Sequence, residues 1–462
     1  MDSDTAQALI RFGFGRRGAE PAPPDPRAWL QGQLRAAGPA PLAPTDIALE
    51  ALRADRRDKP KPMQSRTRAL FLRDALAHLT QALTTDQPFR ERLVWFWTNH
   101  FTVSIRQGPV AGLVGPFVAE AIRPHVTGQF GDMLRAVMRH PAMLLYLSNA
   151  FSIGPDSPAG RRTGRGLNEN LARESLELHT VGLASRFTQA DVTSYAKILT
   201  GWSINIKGDP PGFLFRRFAH EPGWQTLLGH RFPPGEDGGV QALAFLAAHP
   251  ATQRHLAIEL VRHFVADDPP AAAVTHIAGV LTRTGGDLGA AAAALVGLPG
   301  AWRAETKLRT PQELLVGAGR ALGVRQANQP MLGALHLLSQ PLWAAPQPNG
   351  WADRARDWAA PEAMLRRVDF AYALAGRVPR PAAAVGRDAL GSRLRPATRT
   401  ALARAGSRRD ALALLLSSPE FQRRCCSPCP VARRCLAWGS RPPWVGPPWP
   451  SPPPVGNGDS WW

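Results

Sequence analysis

The chain has 462 residues, 44% of them hydrophobic and 20% charged, with a formal net charge of +19. That is enough apolar material for a sizeable core, and no stretch approaches the roughly 18 consecutive apolar residues that span a bilayer. The positive charge is nearly all arginine and attracts polyanions nonspecifically, but no compact basic helix and no basic run interleaved with aromatics reads as a specific nucleic-acid surface.

The N-terminus carries Asp2 and Asp4 and no apolar run, so it does not read as a signal peptide and the cytoplasm is the default compartment, with export if the true N-terminus is longer. Gly13, Gly15 and Gly18 match G-x-G-x-x-G. A helical pattern precedes them and prolines follow where a nucleotide-binding helix would run, so they read as a turn. Residues 53–62 form a charged, proline-bearing loop. Over 67–83, Leu70, Phe71, Leu76, Leu79 and Leu83 recur at helical spacing. Pro88 starts the next helix, 89–101, because its missing N–H costs nothing in a first turn. Residues 130–138 are helical; His140-Pro141 breaks the pattern and 142–147 resume it.

Residues 153–166 read as a loop rich in Gly, Pro and Arg. Thr188 and Asp191 open a helix over 189–199 as a capping box, and Gly201 ends it. The 207–237 stretch is another long loop, with 212–218 the best strand candidate. Helices follow at 240–248 and 252–265, separated by His249-Pro250, then at 271–281, 288–296, 311–322 and 361–374. A Pro-, Gly- and Trp-rich loop occupies 340–358. Loops this long inside a domain are more often functional or mobile than neutral. The expected fold is all-α: a multi-helical single large domain over 1–424 with long Pro/Gly-rich loops. All four cysteines fall at Cys425, Cys426, Cys429 and Cys435, so the body has neither disulfides nor a cysteine nucleophile. The composition changes abruptly there, and 425–462 reads as a disordered or out-of-frame tail.

The ordered series of motifs resembles a bacterial family, the domain of unknown function 1800. The resemblance rests on the block from Arg92 through Trp97 and Asn99-His100 to Phe101, and on the Asn168-Glu169-Asn170 block running to His179. It continues through Phe187 and Asp191 to Gly201-Trp202, His220-Glu221, Leu228-Gly229 and His249-Pro250 to Phe264. Lys307 to Leu314 and Pro346 to Trp358, with Gly350-Trp351, complete it. This sequence departs from the family at Leu171 (usually aromatic), Glu221 (usually Asp) and Glu259 (usually Lys). The resemblance implies no established activity. It implies a protein partner by association, because family genes often neighbour those of a second uncharacterised family, numbered 1501.

The Asn168–His179 block places Glu169, Asn170, Arg173, Glu174 and Glu177 on one helical arc, with Leu171, Leu176, Leu178 and His179 on the other. An exposed ladder of i,i+4 pairs, each contributing ~0.2–0.5 kcal/mol, is the simpler reading. In the sharper one the arc faces inward. Glu174 and Glu177 then bind a divalent metal or act as acid and base, joined by His100 and His220, with Arg173 orienting carboxylates or an anionic substrate. The Glu-x-x-His spacing of di-iron bundles is absent. His100, between aromatics, reads first as a core histidine on a backbone carbonyl. His255, Glu259 and His263 share one helical face and read as solvated. Two functions follow: a scaffold or partner-binding protein, which is preferred, and a metal-dependent hydrolase or oxidoreductase. Asn99, Asn168, Glu169, Asn170, His179, Asp191 and Glu221 are the other polar positions to locate.

Overall fold

A computed structural model describes residues 1–35, 44–107, 109–303 and 307–424. The expected tail, 425–462, lies outside the described residues. Proline occupies the first turn of the helices Pro88–His100, Pro250–Phe264, Pro311–Leu322 and Pro361–Ala375, where its locked φ suits the helix and no backbone bond is lost. The two His-Pro breaks are caps. His140 Nδ1 accepts from the Ala142 N–H at 3.1 Å, and His249 Nδ1 accepts from Ala251 at 3.2 Å. Thr188 with Asp191, and Thr310 with Glu313, form full capping boxes.

The strands described are two short antiparallel pairs, so the fold is essentially all-α. Both pairs lie in or beside the expected 207–237 loop. Trp202–Asn205 pairs with Gly212–Phe215, and Gln225–Leu227 pairs with His230–Phe232. The turn of the second pair puts Leu228 and Gly229 at positive φ, as a tight hairpin turn requires. Asp191 Oδ1 accepts the Leu228 N–H at 2.8 Å, so one carboxylate caps a helix and fixes a hairpin. The 153–166 loop contains the short helix Pro158–Thr163, capped by Ser157.

Two apolar clusters form the core. In the larger, Phe12, Phe89 and Phe264 meet with ring centroids 5.3–6.0 Å apart, tying the N-terminal segment to two distant helices. The smaller gathers Ala6 and Ile10 with Leu314, Val385, Leu412, Leu415 and Phe421. The last described residues return to the centre: Arg309 N donates to Gln422 O and Arg424 N to Lys307 O, both at 2.9 Å.

Candidate functional site

A cleft of about 410 Å3 opens where the 88–100 and 250–264 helices face the start of the 311–322 helix and the irregular 340–358 segment. Its size suits a small molecule. The 340–358 segment is fastened to the first helix by its backbone. Asn99 Nδ2 donates to Trp351 O at 2.9 Å, and Trp351 N donates to Asn99 Oδ1 at 2.8 Å. Gly350 has φ +73°, and a Cβ there would lie 2.5 Å from the Asn99 carbonyl. Only glycine permits this approach.

Beneath the cleft lies a buried ionic network. Glu313 pairs with Arg92 and accepts from Arg424 Nε at 2.7 Å. Arg424 also reaches Asp353 Oδ1 at 3.2 Å and the His263 carbonyl at 2.7 Å. Lys307 donates to Asp267 Oδ1 at 2.7 Å and to the Asp353 carbonyl at 2.8 Å. Burial alone pushes the Glu313 carboxyl up, but the charges of Arg424 and Arg92 prevail and hold it at about 2. Asp353 is likewise held well below the carboxylate range against burial, by His263, Lys307 and Arg424.

His263 joins this network to the cleft wall. Its Nδ1 lies 3.1 Å from Asp353 Oδ2, while its Nε2 has no hydrogen-bond partner among the described residues. Burial lowers its pKa to about 4, with Asp353 opposing, so the ring is neutral at neutral pH. Nδ1–H then donates to the Asp353 carboxylate, which leaves Nε2 as the lone-pair nitrogen.

Residues 7–423 match the model of a family described as "Protein of unknown function (DUF1800)". The chain belongs to that family. Comparison with curated proteins and with solved structures returns no match.

The blocks that carried the resemblance contribute unequally: Arg92 and His100, Leu178, His255 and His263, Thr310 and Glu313, and Trp351 and Asp353 line the cleft, whereas the blocks at 187–202 and 220–229 do not. His255, Glu259 and His263, read from the sequence as a solvated face, form one of its walls. Glu259 pairs with Arg262, and His255 Nε2 lies 3.0 Å from the Leu178 carbonyl. His100 Nε2 lies 3.3 Å from the His179 carbonyl. Burial, then the neighbouring His179 and His255, keep His100 well below its ordinary pKa.

The Asn-Glu-Asn block is placed differently. Its helix starts at Asn170, after Asn168 Oδ1 accepts the Asn170 N–H at 3.0 Å, and its second half, Ser175–His179, is a π turn. The wider turn shifts the phase assumed for a regular helix. His179 ends buried beside Phe101, both ring nitrogens without hydrogen-bond partners among the described residues. Glu169 accepts from Thr193 at 2.6 Å and Gln189 at 2.8 Å, and Arg173 bonds Glu169 at 3.1 Å. Glu177 sits 3.7 Å from Arg173. The Glu174 carboxyl is pushed up by burial and then by the charge of Glu177.

His220 uses both nitrogens on backbone. Its Nδ1 lies 2.9 Å from the Thr200 carbonyl, and its Nε2 accepts from Gly235 N at 2.7 Å. Glu221 holds Lys197 at 3.1 Å and the Asp156 N–H at 2.9 Å. Glu174, Glu177, Arg173 and His220 are not among the cleft residues. Among the described residues no group of three or more His, Cys, Asp or Glu is placed to hold a metal ion. The mixed set of His100, Glu174, Glu177 and His220 is therefore not assembled. Sequence reasoning gave no chemical role to Asp353, Glu313, Lys307 and Arg424. For Lys307, Glu313 and Asp353 the signal available was their presence in the Lys307–Leu314 and Pro346–Trp358 blocks; Arg424 lies in neither.

Proposed function

We propose that the protein is an enzyme acting on a small polar molecule in this cleft, with neutral His263 as acid–base group and Asp353 as its positioning partner. One observation carries the reading: His263 lines the cleft with Nδ1 committed to a buried carboxylate and Nε2 unbonded. That arrangement fixes the tautomer and keeps Nε2 as the acceptor nitrogen; it is covered in this structure, so taking a substrate proton requires the cleft wall to part over it. It shares with the second class raised by the sequence, a metal-dependent hydrolase or oxidoreductase, only that it is an enzyme; the residues differ and no metal enters the reading.

The test is untargeted. A metabolite extract is incubated with wild-type protein and with His263→Asn, both checked for folding, and profiled by mass spectrometry. Consumption of a compound that falls at least ~100-fold in the variant is the expected result, given the usual contribution of general acid–base catalysis. Identical profiles with both proteins would sink the reading.

Partner binding, with a protein of the 1501 family as the expected partner, is a second proposal. It is favoured by Leu365, Val368 and Tyr372, an exposed apolar stripe at i, i+3, i+7 on the 361–375 helix. Co-purification of the two proteins, abolished by Leu365→Asp, is its expected outcome. Unchanged recovery with that variant removes the stripe as the interface.

A further inference from the structure

The charges around the cleft do not balance. Each acidic side chain in its wall has a basic partner: Glu259 has Arg262, Glu313 has Arg92 and Arg424, and Asp353 has His263, Lys307 and Arg424. Asp357 has Arg356 at 3.9 Å. One cation is left over. Arg354 lines the cleft half-buried, and among the described residues its side chain has no hydrogen bond or ion pair.

Its backbone, by contrast, is tightly held. On one side Asp353 is fixed by His263, Lys307 and Arg424. On the other, the Ala355 N–H donates to Asp267 Oδ2 at 2.7 Å. A guanidinium on an anchored stem, without an anion of its own, is pre-organised for one supplied by a ligand.

We infer that the cleft takes a small organic anion, with a carboxylate or phosphoryl group held by Arg354. The inference rests on the cleft being the working site and adds the chemical class of what enters it. Arg354 binds the anionic group as a planar two-point donor, which holds the rest of the molecule beside His263.

The experiment is isothermal titration of the full chain with succinate and, separately, inorganic phosphate, at matched ionic strength. Wild type is compared with Arg354→Gln and with Arg161→Gln. Arg161 is an exposed arginine on the 158–163 helix, outside the cleft. It controls for the general attraction of a chain with net charge +19. The expected result is saturable binding of at least one probe, weakened tenfold or more by Arg354→Gln and unchanged by Arg161→Gln. The probe that binds tells a carboxylate from a phosphoryl ligand. Equal affinity in all three proteins, or no saturable binding of either probe, overturns the inference. If that failure is accompanied by His263-dependent consumption of a neutral compound from the extract, the acid–base reading survives and only the anionic class falls. Arg354-dependent binding without His263-dependent turnover removes the catalytic reading and leaves a binding site for anions.

Discussion

Glu313 lies between two arginines that have left water. Arg92 and Arg424 are almost fully buried, and Glu313 is the carboxylate they share. A buried ion pair adds little over apolar packing, but removing one member leaves uncompensated charge in a low-dielectric interior. Glu313→Gln is therefore expected to lower stability by about 3–5 kcal/mol, measured by urea unfolding. A loss below about 1 kcal/mol would mean that water reaches the two guanidinium groups. Thr310 supplies an internal control. Thr310→Ala removes the other half of the same capping box and is expected to cost only about 1 kcal/mol.

Among the elements, the 189–199 helix depends on Asp191 for two tasks. The carboxylate completes the cap with Thr188 and holds the Leu228 amide of the following hairpin. Asp191→Ala is expected to cost about 1–2 kcal/mol, the upper part of the range for a lost cap. It should also raise amide exchange at 225–232, where Asn at this position retains protection. Exchange unchanged in the hairpin would show that its turn is held by Gly229 alone. The cap was legible in the sequence because Thr188 and Asp191 stand three residues apart. Its bond to Leu228 was not, since that contact joins residues 37 apart. The π turn at 175–179 marks another limit. Projecting the Asn-Glu-Asn block on a regular helix separates acids from apolar residues correctly but says nothing of a change in pitch. Whether Glu174 and Glu177 meet His100 and His220 depends on that pitch and on the path of the loop carrying His220.

Across the molecule, buried neutral histidines set the acid response. Burial depresses His78 and His179 to about 3 and His263 to about 4. Above the unfolded value of 6.5 both states are neutral and pH has no effect through these groups. Below it the unfolded chain takes protons that the fold refuses, so stability falls as pH drops, down to the folded values. Each histidine contributes about 1.4 kcal/mol per pH unit in that window. Glu313 acts lower: its folded value near 2 gives stability present above the unfolded 4.5 and lost as pH falls toward 2. Between pH 6.5 and 4.5 the histidines should dominate. His179→Leu, which removes two unpartnered nitrogens at similar volume, should make that slope shallower by about 1.4 kcal/mol per pH unit. Unfolding midpoints at pH 7, 6 and 5 decide it; parallel slopes in the two proteins would mean that His179 is protonated in the fold.

Helical periodicity, proline at first turns and paired capping residues are local signals, because the forces behind them act within a few residues of chain. For that reason the sequence by itself determined the all-α class, the positions of many of the helices and the Thr188–Asp191 start, and its ordered motifs pointed to the family; the helix Thr45–Asp58 runs through 53–58, where the sequence reads as a loop. The cleft was decided only in three dimensions. Arg92, His263, Lys307, Glu313, Asp353 and Arg424 come from segments far apart in the chain, and each looks like an ordinary surface charge where it stands in the sequence. Taking them out of water is tolerable only when opposite charges arrive together, and that meeting is a property of the packed fold. The same holds for the 255–263 stripe. Its spacing defines a shared face, but only packing against 340–358 turns that face into the wall of a cleft.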